Sequence, residues 1–138
     1  DKIVAQLKPY FPKKYTEGDF SSADDVLIIN TIGMLSGLYR YADMALVGGG
    51  FSGALHNILE PAVWGCHLFF GPQTQKFPEA QDFIEGGFAS PVASVKEWTS
   101  LVLDLLQSEE TLAIKKFKAK AYCESMMGST SRVIHSIG

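Results

Sequence analysis

A chain of 138 residues with 46% apolar and 20% charged side chains has ordinary globular composition, enough for one compact unit with a buried core, and is neither disordered nor fibrous. Its net charge of −3 leaves no basic footprint beyond a short cluster at Lys115, Lys116, Lys118 and Lys120, so nucleic acid is not an expected partner. No run reaches the ~18 apolar residues of a membrane span and the start DKIVAQLKPYF is too charged for a secretory signal, so the chain itself is expected to be soluble.

The chain opens on Asp1 already in helical pattern, as a piece cut from a longer protein would. Ile3, Val4, Leu7 and Tyr10 recur at helical spacing and predict a helix over 2–10 that ends among Pro9 to Pro12. A short strand is expected at 14–16, a loop at EGDFSSADD, and a buried strand in the β-branched run VLII at 26–29. In GMLSGLYRYAD, Leu35, Leu38, Tyr39 and Ala42 fall at i, i+3, i+4 and i+7, the pattern of an amphipathic helix. A strand at 44–47 (MALV), a glycine loop, a helix from about Asn57 to Trp64, a strand at 66–70 (CHLFF), the loop GPQTQKF and the helix PEAQDFIEG follow. The strand FASPV and helices near 94–107 and 109–126 complete the chain.

Nearly all-apolar strands alternating with helices indicate an α/β fold, a doubly wound parallel sheet covered on both faces. Ligands of such sheets bind beyond the carboxyl ends of the strands, which puts the loops at 30–33, 48–56 and 71–77 on one expected rim. Cys66 and Cys123 are far apart, without a C-x-x-C pair or a histidine at zinc spacing, and read as free thiols of a reducing compartment. His67, in an apolar strand with no second ligand at metal spacing, reads as a core histidine.

Gly48, Gly50 and Gly53 match G-x-G-x-x-G, yet the chain runs on through ALHN before a helix is expected. A dinucleotide fingerprint also needs an acid about twenty residues later at the end of the next strand, where this chain has FFGPQTQ. A P-loop is excluded because no Gly-Lys-Ser or Gly-Lys-Thr follows. What remains is a strand, a glycine turn and Asn57 as N-cap of a helix, an arrangement that suits an anion. Glu60 is either a capping-box residue reaching back to the Asn57 backbone or a carboxylate for the hydroxyls of a ribose, and the spacing permits both. Pro61 falls in the first turn, where its missing N–H costs little.

The run INTIGMLSGLYRYADMALVGGGFSGALHNILEPAVWGCHLFFGPQTQKFPEAQDFIEGGFA carries a Thr-x-Gly turn, Tyr-x-x-Ala-Asp, Val-Gly-Gly, His-Asn-x-Leu-Glu and Phe-Gly-Pro in that order. Across residues 26–90 it resembles the C-terminal half of the 3-deoxy-D-manno-octulosonic acid (Kdo) transferases of lipopolysaccharide core biosynthesis. The resemblance extends more weakly into the flanks and to a break at Gly128-Ser129-Thr130. It implies a Rossmann-like C-terminal domain of the two-domain GT-B architecture that holds the CMP-Kdo donor, with the lipid A precursor held by an N-terminal domain outside this chain.

The resemblance further implies that Ile32, Gly33 and Met34 line the CMP site together with Asn57, Ile58, Leu59 and Glu60, and it makes Glu60 a ribose ligand. This chain has Asn30 and Met34 where many members carry an acid on each side of the first turn, and its glycine loop FSGAL is less glycine-rich than expected.

An inverting glycosyltransferase that releases CMP builds negative charge on the phosphate, which N–H groups of Gly48, Gly49 and Gly50 and of the helix start are placed to stabilise. His56 either adds a charge-assisted bond to that phosphate or is a neutral loop histidine. Gln73, on the rim after Phe-Gly-Pro, is a further donor contact. The scheme requires neither metal nor cofactor. The general base is implied to be a glutamate of the N-terminal domain, so no catalytic residue is expected here and the isolated chain is expected to be inactive. The family works at the cytoplasmic face of the bacterial inner membrane, an association expected of the full-length protein. Alternatives are a UDP-sugar transferase or epimerase, and a non-catalytic α/β binding module.

Overall fold

The computed structural model describes residues 2–21 and 23–136, with side chains described through Met127. Two compact units are distinguished along the chain, Asp1–Leu38 and Tyr39–Gly138. Burial explains the division, since every described buried residue lies between Val47 and Cys123.

In the first unit α1 (Lys2–Leu7) passes into a 3-10 turn at Lys8–Tyr10, where Pro9 cannot continue the α-helical hydrogen bonds. Strand β1 (Pro12–Lys14) runs parallel to β2 (Val26–Ile28), with Lys13 opposite Leu27. The strand expected at 14–16 thus lies two residues earlier, and Tyr15–Glu17 forms a 3-10 turn closed by Gly18 at φ +68°. VLII is not a buried strand, because two strands of three residues offer too small a face to cover, and Leu27 remains 45% exposed. Beyond the strands, Asn30 Nδ2 donates to Thr16 Oγ1 at 2.7 Å and Asn30 Oδ1 accepts from the Thr16 N–H at 3.2 Å.

The amphipathic helix expected over 33–43 is reduced to α2 (Leu35–Leu38) and a 3-10 turn at Tyr39–Tyr41. Gly33 at φ +88° delays the start, and Gly37 weakens the interior of so short a helix.

The second unit alternates strand and helix as expected: β3 (Met44–Val47), α3 (Leu59–Val63), β4 (His67–Phe70), α4 (Pro78–Glu85), β5 (Ala89–Pro91), α5 (Val95–Leu106) and α6 (Glu109–Ser136). Its sheet is parallel in the order β3-β4-β5, with Val47 opposite Phe70 and Phe70 opposite Pro91. All four residues of the central strand β4 are buried, and their alternation divides the core between the two faces. Leu68 and Phe70 join Ala62 of α3, Phe83 of α4, and Ala119 and Cys123 of α6. Phe69 points the other way and packs with Val92, Leu105 and the partly buried Trp98 and Leu101 of α5. The sheet is therefore covered on both faces, and each fully buried Leu or Phe of β4 contributes roughly 1.5–3 kcal/mol of apolar transfer energy.

Helix α6 runs straight through the break expected at Gly128-Ser129-Thr130 and is 28 residues long. Its lysine cluster fastens it to the turns at the edge of the sheet: Lys116 Nζ meets Asp43 Oδ1 at 2.6 Å and Lys115 Nζ donates to the Gly87 carbonyl at 2.8 Å. Cys66 and Cys123 are free and buried, and burial pushes both thiols above their usual pKa.

Candidate functional site

The chain leaves the carboxyl end of β3 into a glycine turn that folds back on itself. Ala54 N–H donates to the Gly49 carbonyl at 3.0 Å, Ser52 donates to the same oxygen through both N–H and Oγ at 3.1 Å, and His56 N–H donates to the Gly48 carbonyl at 3.0 Å. Gly49 takes φ +86°, and a side chain there would run into the Ala54 carbonyl. The turn that follows β4 touches this loop directly. A Cβ on Gly50 would stand 2.7 Å from Gly71 N, while one on Gly71 would collide with Gly50 C and Phe51 N. Both glycines permit this close backbone approach. Gln73 then donates its backbone N–H to the Gly50 carbonyl at 2.9 Å and Nε2 to the Phe51 carbonyl at 2.8 Å. The structure thus brings together two of the three loops expected to share a rim.

After the loop, α3 begins at Leu59 rather than near Asn57. Pro61 has no N–H, so the first α-helical bond is Ala62 N–H to the Ile58 carbonyl at 3.4 Å, which sets the start. Asn57 still serves the helix start from one residue further out: its Oδ1 accepts from Leu59 N–H at 3.0 Å, and its Nδ2 donates to Glu60 Oε1 at 2.9 Å. Glu60 therefore bonds the Asn57 side chain and not its backbone, so the capping-box geometry does not form. The carboxylate is exposed, and its second oxygen has no hydrogen-bond partner among the described residues. Its charge is felt at Tyr39, whose phenol is pushed above its usual pKa first by burial and then by Glu60. With α3 five residues long, helix-dipole stabilisation at its start is small, and the anion-binding capacity of this segment rests on local N–H groups.

The His56 ring lies along the glycine turn, its Cδ2 3.1 Å and Nδ1 3.4 Å from where a Cβ on Gly49 and Gly48 would stand. Its ring nitrogens have no hydrogen-bond partner among the described residues, so it is not tied to backbone through the ring. Ile58 is buried and Leu59 exposed. Ile32, Gly33 and Met34 belong to the first unit, where Ile32 is fully exposed and Met34 Sδ accepts from Thr31 Oγ1 at 3.0 Å. Sequence reasoning singled out Gly48, Gly49 and Gly50 but missed Gly71 and Ser52, which hold the loop's shape. The Phe-Gly-Pro motif contained the signal for Gly71, since a glycine at a strand's carboxyl end marks close backbone approach.

No family model matches the chain. It is 38% identical over 96 residues to a 3-deoxy-D-manno-octulosonic acid transferase of Aquifex aeolicus, covering 67% of this chain and 25% of that protein. A transferase of the same name from Bordetella pertussis is 27% identical over 143 residues, or 99% of this chain and 33% of that one. Another, from Chlamydophila psittaci, is 47% identical over 53 residues, covering 37% of this chain and 12% of the relative. The chain therefore spans at most 33% of the length of these relatives. Among solved structures, the C-terminal CMP-Kdo binding domain of WaaA from Acinetobacter baumannii matches with a TM-score of 0.74 at 23% identity, covering 86% of this chain and 63% of that one. By sequence and by fold, the chain is a homologue of part of the 3-deoxy-D-manno-octulosonic acid transferases, with the α/β architecture of a GT-B C-terminal domain.

Proposed function

We propose that these residues form the donor-binding part of a Kdo transferase, which passes Kdo from CMP-Kdo to a lipid A precursor. The observation that carries this reading is the pairing of Asn57 with Glu60 directly after a locked glycine loop, in a chain whose relatives are named for Kdo transfer. The match to a domain named for CMP-Kdo binding supports it. In this reading the second oxygen of Glu60 accepts from the ribose hydroxyls. N–H groups of Gly48, Gly49 and Gly50, with His56, meet the phosphate. Leu59, exposed beside Glu60, and the buried Ile58 behind it shape the nucleotide's surroundings.

As the bond to CMP breaks, charge grows on the phosphate and the sugar becomes oxocarbenium-like. Preorganised N–H groups stabilise that charge more in the transition state than in the bound donor. Attack inverts the anomeric centre, and the general base and acceptor site belong to an N-terminal domain outside these residues, which alone transfer no sugar. The full-length protein works at the cytoplasmic face of the inner membrane; among the described residues no helix is long and apolar enough to cross a membrane.

Calorimetric titration with CMP, UMP and NAD tests the reading. CMP is expected to bind more tightly than UMP, with no NAD binding. Preference for UMP would redirect the reading to a UDP-sugar enzyme, and NAD binding without CMP would defeat it. Kdo transfer by the 138 residues alone would overturn the assignment of the base to another domain.

A further inference from the structure

Four successive carbonyls of the glycine loop, from Gly48 to Phe51, accept hydrogen bonds from inside the protein. Those of Gly48 and Gly49 are held by the loop's own His56, Ser52 and Ala54, whereas those of Gly50 and Phe51 are both held by Gln73, at 2.9 and 2.8 Å. In a planar trans peptide the N–H of each residue points opposite to the carbonyl before it. Fixing the Gly48, Gly49 and Gly50 carbonyls therefore fixes the direction of the Gly49, Gly50 and Phe51 N–H groups. None of these three N–H groups has a hydrogen-bond partner among the described residues. Successive unpaired backbone donors are what an anion-binding nest is built from. The Phe51 N–H is aimed through the backbone N–H of Gln73, from a different loop, and the Gln73 side chain pins the next peptide at the Phe51 carbonyl, which keeps the loop from swinging.

We propose that Gln73 is a positioning residue for phosphate recognition: it clamps the glycine loop so that consecutive N–H groups present themselves to the donor's phosphate, and it does not itself contact the nucleoside. One of the two N–H groups of its amide is committed to the Phe51 carbonyl, and its Oε1 lies beside Gly53, 3.4 Å from where a Cβ there would stand. The proposal rests on the donor-binding reading and replaces the expectation that Gln73 is a ligand.

The test is titration of the wild type, Gln73→Leu and Gln73→Glu with CMP and with cytidine, together with amide hydrogen exchange of residues 48–54. Leucine removes the donor at similar size, and glutamate sets a carboxylate against the Phe51 carbonyl. Each variant is expected to bind CMP about tenfold more weakly, while cytidine affinity changes by less than about twofold. Exchange of the Ser52 and Ala54 amides, both hydrogen-bonded to the Gly49 carbonyl, should quicken in both as the loop loosens. Equal losses for CMP and cytidine would make Gln73 a nucleoside ligand and overturn the proposal. A lower melting temperature with both affinities intact would make it merely structural and overturn it equally. Gln73→Asn, which keeps the amide but is one methylene too short, carries the same expectation should the larger changes disturb folding. If the wild type binds no CMP, the donor reading itself fails and the proposal with it; if it binds CMP but the variants keep the wild-type ratio of CMP to cytidine affinity, only the proposal fails.

Discussion

Asn57 and Glu60 are joined side chain to side chain, Nδ2 to Oε1 at 2.9 Å, while the other end of the Asn57 amide accepts from Leu59 N–H at 3.0 Å. One asparagine thus starts α3 and aims the carboxylate. Glu60→Gln retains an oxygen for Asn57 and removes the charge, which separates the two roles. If the carboxylate binds ribose hydroxyls, CMP affinity falls about ten- to a hundredfold, the worth of a charge-assisted hydrogen bond. The melting temperature stays close to wild type. Titration and a thermal melt decide it: an unchanged affinity with a lower melting temperature would return Glu60 to a helix-start role.

Backbone approach between the two rim loops leads to a second prediction. Gly50→Ala places a methyl 2.7 Å from Gly71 N, and Gly71→Ala drives one into Gly50 and Phe51, so neither can be relieved by rotating a side chain. Each is expected to cost about 1–3 kcal/mol in urea unfolding, and because both force apart the same pair of loops, the double variant costs less than the two costs added together. Gly53→Ala meets only the flexible end of Gln73, so its cost is the backbone's at φ +71°, about 1–2 kcal/mol. Strict additivity of the first pair would mean that the loops do not share one strain.

The start of α5 carries the reciprocal chemistry that α3 lacks. Ser94 Oγ accepts from Glu97 N–H at 3.2 Å, and Glu97 Oε2 accepts from Ala93 N–H at 2.7 Å. Ser94→Ala should destabilise the second unit by about 1 kcal/mol, measured as a fall in the urea midpoint at constant slope. Donor binding should be unaffected, since α5 covers the sheet face away from α3 and α4.

How much of this could be read beforehand depends on what local sequence encodes. The alternation from β3 onward was legible because HLFF is apolar but for His67 and forms a central strand buried on both faces. The S-x-x-E signature at Ser94 likewise marks a helix start close to where one is found. Asn57 looked equally good as an N-cap, and Pro61 decides against it through a hydrogen bond it cannot make. The apolar spacing in GMLSGLYRYAD was real, but periodicity records a face without recording whether two glycines allow a helix to carry it. At the site, the residue types were visible and their partners were not. Gln73 bonds to Phe51, 22 residues away, and no spacing rule reports such a contact.

His67, fully buried on β4, faces a different test. Its Nε2 lies 3.1 Å from Ser90 Oγ and its ring meets Phe69 edge-on at 5.0 Å, while Nδ1 has no hydrogen-bond partner among the described residues. Burial first, and then the charge of Lys115, lowers its pKa from 6.5 to about 4. The unfolded chain takes up the proton near pH 6.5 and the folded chain only near 4, so between these values the unfolded state binds more protons. The stability that His67 contributes is therefore complete above pH 6.5, declines as pH falls, and is lost once pH drops through the folded value. The full contribution is about 3 kcal/mol. Urea unfolding of the wild type and of His67→Leu between pH 7.5 and 4.5 measures it, because carboxylates common to both proteins cancel in the comparison. The wild type should lose about 2–3 kcal/mol more than the variant over that range. Parallel pH profiles would show that His67 is protonated as readily in the folded protein as in the unfolded chain, through water reaching Nδ1.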